Sequence, residues 1–365
     1  MQPQSSTPAR LNPGRLALLF GAQLALLFAL WAGLLRLPFA WPGMTGRLPA
    51  LHGPLMVSGF VGALVALERA VALARLWGYL APLTCLLGTA ALLAGLDLRV
   101  GVSLYGAGSL LFLAVQVVLT LKQPSLPLWL MAAGAIAWLS GNLLWLSGRG
   151  VAEVTSLWGA FFVLTIGAER LLLSRILRPS RAAVGLFLAL LVLYAAALGL
   201  SAAGLAIAPR LVGAALVALA LWLLRHDIAR LNLRRPGLPR FSALALLGGY
   251  FWLVVSGAIG LAAVVPGAGL LYDALLHSLF VGFVLSMIFG HAPIIFPSIL
   301  GRPIPFTRAF FVPLAALHLS LVLRVAGDLF TFVTLRRAGA LINTLSVLLF
   351  FGVTLAALRL GRSRK

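Results

Sequence analysis

The sequence predicts an all-α polytopic integral membrane protein with about 12 transmembrane helices. Hydrophobic residues make up 62% of the 365 positions, and the mean hydropathy is +1.09, whereas soluble domains are about 45–50% apolar. Charged residues account for only 10% and cluster between long apolar blocks. Because a water-soluble fold could not bury this much hydrocarbon, the lipid bilayer is the expected solvent for most of the chain.

The apolar blocks predict where the spans lie, since each span needs about 20 apolar residues. A weak internal repeat relates spans 2, 6 and 10, in which a glycine precedes a Glu or a His by nine or ten residues. This repeat predicts three quasi-equivalent four-helix units. The connections are short, so residues 1–365 are predicted to form a single transmembrane domain. The twelve spans are predicted at 15–36, 50–73, 77–96, 100–121, 126–147, 154–173, 182–205, 208–225, 241–265, 270–292, 308–330 and 338–360.

The basic residues predict the orientation. With the N-terminus inside, 20 of the 28 Lys and Arg residues fall on the inner side and eight on the outer side, which matches the positive-inside rule. The tails 1–14 and 361–365 are therefore predicted to be cytoplasmic, and the chain to reside in the cell inner (cytoplasmic) membrane. The net charge is +21, and the basic residues that produce it lie at the ends of apolar runs. There they would meet anionic lipid headgroups, so nucleic acid is not a predicted partner.

Two histidines fall in the outer halves of spans that the repeat makes equivalent. His52 stands at the outer end of span 2, and His277 lies about two turns inside span 10. Two neutral imidazoles that face each other across a bundle can ligate heme iron from both sides. The alternative is that each is a lone histidine bonded to a backbone carbonyl. Asp273, one turn before His277, either fixes that imidazole or is an acid favoured by the helix start.

Further candidate metal ligands lie deeper in the chain. His291 shares a helix face with His277, and Met287 lies one turn before His291. A thioether beside an imidazole suits copper or heme. His318 is expected mid-membrane on span 11, at a different depth from His291, so a shared inner site would need tilted helices. The lone Cys85 excludes an intrachain disulfide.

Charged pairs within the spans suggest other roles. Glu68-Arg69 and Glu169-Arg170 lie near the inner ends of spans 2 and 6. Adjacent residues on a helix do not face each other, so these side chains should find partners on neighbouring helices, carry protons or anchor the inner surface. Arg324 and Asp328, one turn apart, are expected to form an ion pair.

Short motifs follow both histidines. His52, Met56, Gly59 and Phe60 resemble the signature near the start of the NnrS family of membrane proteins. A second segment resembles its C-terminal motif region, through His277, Val281, Gly282, Met287, Gly290, His291 and Gly301-Arg302-Pro303. The resemblance implies a heme- and copper-containing protein connected with nitric oxide.

The span pattern is also similar to that of the catalytic subunit of heme–copper oxidases. That family has twelve spans in three units and a low-spin heme held by histidines of spans 2 and 10. The likeness implies that Arg336 and Arg337, in the outer connection between spans 11 and 12, meet the heme propionates. Spans 6 and 7 carry no histidine, so an oxidase-type binuclear centre is not expected.

The sequence therefore favours a membrane protein that binds heme b and serves nitric oxide response, detoxification or electron transfer, with nitric oxide or a redox protein as partner. Whether it catalyses a reaction is left open. One alternative is a transporter of a small solute or protons that uses the buried Glu-Arg pairs and has helices broken near the midplane, for which Gly248-Gly249 is the hint. Another is an assembly subunit without a ligand.

Overall fold

A computed structural model describes residues 12–37, 39, 46–262 and 267–363. Residues 1–11 of the predicted N-terminal tail and 364–365 of the predicted C-terminal tail lie outside the described residues. The described part contains no strand and includes twelve helices that are long and apolar enough to cross a membrane. The predicted all-α polytopic fold is confirmed.

We label these helices in chain order. Their bounds are α1 Pro13–Leu35, α2 Leu48–Leu73, α3 Leu76–Leu93, α4 Leu98–Lys122, α5 Leu126–Leu146, α6 Val151–Leu177, α7 Arg181–Ala202, α8 Ala208–His226, α9 Leu238–Ala262, α10 Leu270–Leu300, α11 Arg308–Leu329 and α12 Val333–Ser363. A short helical turn at Ala229–Asn232 follows α8.

Several helices extend beyond the apolar blocks that predicted them. The α6 helix starts at Val151, before its apolar block, because the Glu153 carboxylate accepts a hydrogen bond from the Gly150 backbone N–H at 2.9 Å. Such an acid satisfies an amide that would otherwise lack a partner at the helix start. The α10 helix continues through Pro293 and Pro297 to Leu300. The polar start of α6 lies outside its apolar block, and the two prolines of α10 suggested an earlier end than the structure shows.

Three helices form the centre of the bundle. In their most apolar stretches, 72% of the residues of α2, 67% of α6 and 72% of α10 are buried, against 22% in α7. The outer helices direct large apolar side chains outward, among them Phe20, Val192 and Leu319. These exposed side chains are the surface that lipid covers, whereas α2, α6 and α10 carry most of their residues inside the bundle.

Two of the central helices share an unusual local geometry. Residues Leu55–Gly62 of α2 and Ser278–Leu285 of α10 form π-helices of eight residues each, and the two stretches are 223 positions apart. The glycine pairs of the predicted repeat, Gly59 and Gly282, have the same spacing. Single π-turns inside α-helices are rare and often accompany functional sites. This match supports the internal repeat between spans 2 and 10.

Close packing of helices explains the glycine pair that suggested a broken helix. Helix α9 runs without interruption through Gly248 and Gly249. A Cβ atom on Gly248 would lie 2.6 Å from the His318 ring, and one on Gly249 would lie 2.5 Å from the Met287 methyl carbon. The interpretation of this pair as a helix break is wrong, because both glycines make room for side chains of neighbouring helices.

Helices α8 and α9 approach each other at a second pair of glycines, which gives a test of the packing. A Cβ on Gly213 would lie 2.6 Å from the Gly257 carbonyl oxygen, and backbone atoms cannot move aside as a side chain can. We expect Gly213→Leu to lower the free energy of unfolding by about 1–3 kcal/mol or more through overpacking.

The matched control is Gly199→Leu on the exposed face of α7, where no atom lies within 4 Å of the added Cβ. Thermal unfolding of the detergent-solubilised protein measures both variants. Equal melting temperatures for the two would contradict the described contact between α8 and α9.

Candidate functional site

The structure brings His52 of α2 and His277 of α10 together, near the end of the bundle at which both helices begin. The centroids of the two rings are 6.2 Å apart, and the ring planes differ by 13°. Both side chains line one cavity. We call this end of the bundle the outer end, after the orientation that the basic residues predict.

A backbone carbonyl fixes the orientation of each ring. The Nδ1 atom of His52 lies 2.7 Å from the Ala29 oxygen of α1, and that of His277 lies 2.8 Å from the Asp273 oxygen one turn earlier. Because a carbonyl oxygen only accepts, Nδ1 carries the proton and Nε2 keeps its lone pair. Hydrogen bonds of this kind commonly support a metal-ligating imidazole. The sequence-based alternative of a histidine bonded to a carbonyl therefore accounts for only one nitrogen of each ring.

Gly33 of α1 provides the space that the His52 ring occupies. A Cβ atom at this position would lie 2.8 Å from both Cε1 and Nδ1 of the ring. Since Nδ1 is also bonded to Ala29 on the same helix, the ring cannot retreat without losing that hydrogen bond. The backbone of α1 thus sets the position of His52 as firmly as α2 does.

The cavity beside the two rings is large enough for an organic cofactor. Its volume is about 670 Å³, within the range of about 300–1,000 Å³ that is typical of ligand pockets. Its polar groups include three arginines and Asp273. Most of its wall is hydrocarbon or aromatic, contributed by residues such as Leu30, Val57, Trp158, Phe162, Phe280 and Val284.

The polar part of the cavity is a cluster of acids and arginines. The Asp273 Oδ2 atom accepts from Nε and Nη2 of Arg324 at 3.1 and 2.9 Å. Asp328 pairs instead with Arg336, whose Nε lies 2.8 Å from its Oδ1. The expected ion pair between Arg324 and Asp328 is therefore wrong, since each acid is matched with an arginine of another helix.

Glycines at the contact between α11 and α12 explain this exchange of partners. A Cβ on Gly339 would lie 2.5 Å from the Arg324 backbone nitrogen, and one on Gly327 would collide with the Arg336 backbone. The two helices therefore touch backbone to backbone. This close approach carries Arg336 to Asp328 and leaves the Arg324 side chain to reach Asp273 on α10.

The two arginines that the oxidase likeness singled out have different surroundings. Arg336 lines the cavity, whereas the Arg337 guanidinium lies 5.2 Å from the centroid of the Phe39 ring. Sequence reasoning missed two other arginines of the cavity wall, Arg36 and Arg324. Arg36 has no acidic partner among the described residues, so its charge is available to a ligand. Its place at the outer end of α1 was the signal that could have identified it.

Asp273 binds two side chains of the site, His277 through its backbone oxygen and Arg324 through its carboxylate. Its backbone oxygen holds Nδ1 of His277 at 2.8 Å, while its carboxylate Oδ1 is farther from that atom, at 3.4 Å. The carboxylate binds chiefly to Arg324. Asp273 thus ties His277 to the arginine cluster, and it is the main chain of this residue that fixes the imidazole.

His291 belongs to a different cluster, near the opposite end of α10, which we call the inner end. Its Nδ1 donates to the Met287 carbonyl oxygen at 2.7 Å, so Nε2 accepts from Nη1 of Arg170 at 3.1 Å. Both ring nitrogens are engaged in these hydrogen bonds. A metal at His291 would have to displace Arg170, and the copper predicted here stays a prediction.

Met287 and His318 are used in packing and hydrogen bonding. The Met287 methyl group lies against Gly249. His318 accepts from Nε1 of Trp252 at 3.0 Å, and its Nε2 lies 3.4 Å from the Ser286 hydroxyl. None of these contacts joins His318 to His291. Among the residues that the structure describes, no group of three or more His, Cys, Asp or Glu side chains is arranged to hold a metal ion.

The charged pairs at the inner end connect different helices. Nη2 of Arg69 on α2 lies 2.6 Å from the Glu169 carboxylate on α6. Arg170 donates from Nε and Nη2 to both Asp227 oxygens at 2.6 and 3.0 Å. The Tyr250 hydroxyl adds a third donor to Asp227 at 2.8 Å. Sequence reasoning missed Asp227 because it lies in a connection, where an acid is ordinarily solvated.

The comparisons with known proteins identify one family. A family model described as a domain of unknown function, DUF8744, matches residues 15–359. No curated protein and no solved structure matches the chain. Any function has to be inferred from the two clusters described above.

The buried pair of Arg170 and Asp227 gives a prediction for stability. The Asp227 side chain is fully buried, so Arg170→Ala leaves a carboxylate without its charge partner. We expect the free energy of unfolding to fall by about 3–5 kcal/mol. Thermal or denaturant unfolding in detergent measures the change.

The control is Arg149→Ala, which removes an exposed pair of similar length, 3.0 Å from Glu153 with the arginine side chain 64% exposed. An exposed pair contributes at most about 1 kcal/mol. A loss of the same size in both variants would contradict the buried ion pair.

Proposed function

We propose that this chain, which belongs to the DUF8744 family, is a membrane heme b protein that transfers electrons, with His52 and His277 as the two axial ligands. The proposal is supported by the pairing of two imidazoles that approach one cavity from different helices. It extends the sequence-based hypothesis by choosing electron transfer over turnover.

The separation of the rings carries the proposal. A bond from a metal to an imidazole nitrogen is about 2 Å long, and that nitrogen lies about 1 Å from the ring centre, so imidazoles on opposite sides of one ion have centroids roughly 6 Å apart. The observed distance between the centroids of His52 and His277 is 6.2 Å. Because both Nδ1 atoms are bonded to carbonyls, the Nε2 atoms are the ones left for an iron.

The walls of the cavity fit the two kinds of surface of a heme. Aromatic and aliphatic side chains such as Trp158 and Phe280 suit the apolar macrocycle. Arg36 and Arg336 reach the same cavity and suit its two propionates, since guanidinium groups bind carboxylates strongly. The two acids beside Arg324 and Arg336 are already paired, so Arg36 contributes the excess positive charge.

The ligand arrangement favours electron transfer. A bound heme supplies one-electron redox chemistry whose potential depends on its axial ligands and its surroundings. If His52 and His277 both held the iron, no position would be left open for a substrate. The connection with nitric oxide implied by the NnrS resemblance would then require one histidine to leave, and His277 is the candidate because its ring is bonded to its own helix, whereas the His52 ring is bonded to α1.

The first test of this proposal is removal of each axial ligand. Protein purified from heme-replete cells should show the absorption and electron paramagnetic resonance spectra of a six-coordinate low-spin b-type heme. We expect His52→Ala and His277→Ala each to abolish the low-spin signal, because neither leaves a second nitrogen in place.

The control is His226→Ala, since that ring is stacked on Trp222 with centroids 4.7 Å apart, at the end of α8, and does not line the cavity. A wild-type protein without a Soret band, or alanine variants with the wild-type spectrum, would refute the proposal.

The second test moves a ligand without deleting it. A side chain at position 33 would occupy the space of the His52 ring, so we expect Gly33→Val to convert most of the heme to a high-spin form or to lose it. In Gly21→Val on the same helix, the added Cβ meets the tip of the flexible Leu86 side chain at 2.8 Å, which can rotate away.

The low-spin spectrum should therefore survive in Gly21→Val and not in Gly33→Val. If both variants keep the low-spin spectrum, the contact between Gly33 and the His52 ring does not fix the position of this ligand.

A further inference from the structure

A second cavity lies between α2, α6 and α10 and adjoins the outer cavity. It measures about 90 Å³ and is lined near the inner end by Glu68, Glu169 and His291. Three residues, Val61, Phe162 and Val284, line both cavities. They come from α2, α6 and α10 respectively, and we call them the apolar layer. The two cavities are thus separated by a wall one side chain thick.

The inner cavity carries an excess of negative charge. Glu68 and Glu169 share a single arginine, Arg69, at 3.5 and 2.6 Å. The other cation nearby, Arg170, is committed to the fully buried Asp227, and the Nε2 of His291 is an acceptor toward Arg170 and hence uncharged. One further positive charge would neutralise the cluster, and a proton is the smallest group that can supply it.

The inner cavity also has room and partners for water. The Thr165 hydroxyl lines it, is buried, and has no hydrogen-bonding partner among the described residues. Buried hydroxyls are almost always satisfied by protein or by water. The Thr165 hydroxyl and the carboxylates of Glu68 and Glu169 therefore offer partners to water in a cavity whose wall is otherwise largely apolar. The side chains of Glu68 and Glu169 remain 24% and 25% exposed, so neighbouring residues do not cover either carboxylate completely.

The apolar layer is suited to act as a gate. Two valines and a phenylalanine offer no hydrogen bonds to a chain of water molecules, and hydrophobic constrictions of this kind close pores by excluding water. The valines are 223 positions apart, the spacing of the two π-helices, so related positions of the repeat contribute equivalent side chains to the layer.

We propose that the axis between α2, α6 and α10 is a gated proton pathway. Glu68 and Glu169 load protons at the inner end, the apolar layer of Val61, Phe162 and Val284 blocks the water chain, and the outer cavity receives protons when the layer opens. This inference depends on the two cavities and their side chains and not on a cofactor.

Proton flux across liposomes tests the pathway. The full-length protein is reconstituted in phosphatidylcholine–phosphatidylglycerol vesicles that contain the pH dye pyranine, and a potassium gradient with valinomycin drives protons inward. The wild type should conduct slowly because the apolar layer is closed. Phe162→Ala removes the largest side chain of the layer, and we expect it to raise the proton flux by about tenfold or more.

Three further variants make the result specific. Val284→Ala opens the same layer with a smaller loss of packing and should also raise the flux. Phe187→Ala removes a fully buried phenylalanine of α7 that lines neither cavity and packs against Trp222, so it should leave the flux at the wild-type level. Adding Glu68→Gln and Glu169→Gln to Phe162→Ala should return the flux to that level.

The proposal is overturned if Phe162→Ala and Val284→Ala both conduct no faster than the wild type. It is also overturned if the added glutamines leave the raised flux unchanged, or if Phe187→Ala leaks equally. Since the flux is measured without any redox reaction, a protein that lacked a Soret band would refute the heme proposal and leave this test intact.

Discussion

The high cost of unpaired polar groups in lipid is the constraint on which the structure depends. The helices that face the bilayer are nearly all hydrocarbon, so the ionisable side chains are concentrated around α2, α6 and α10. There the buried Arg170 is paired with Asp227 in the connection after α8, and Arg324 is paired with Asp273 of another helix. The same pairs that make these charges tolerable also lock the central helices to their neighbours, so stability and the proposed chemistry depend on the same contacts.

Glycine determines how closely the helices approach and hence where the functional side chains lie. Gly33 admits the His52 ring to the surface of α1, and Gly339 lets α12 touch the backbone of α11 beside Arg324. In each case the absence of a Cβ positions a side chain of another helix. The outer cavity is therefore shaped by small residues that carry no chemistry of their own.

The fold could be predicted from the sequence because apolar length alone identifies a span, and the two histidines could be singled out because an imidazole in lipid is rare. The partners of the charged residues could not be predicted from the sequence. Arg324 was expected to bind Asp328 on its own helix, yet its partner on α10 depends on a glycine contact that no local spacing reveals. Asp227 lies in a connection that folds back over Arg170, and sequence distance conceals such a return.

The paired π-helices bear on the internal repeat of the chain. At the spacing of 223 that superposes them, His52 corresponds to Leu275 and His277 corresponds to Pro54. At this spacing the two π-helices coincide, whereas the two histidines do not. The repeat therefore accounts for the shared π-helices but not for the two imidazoles, which reach one cavity from positions of α2 and α10 that the repeat does not relate.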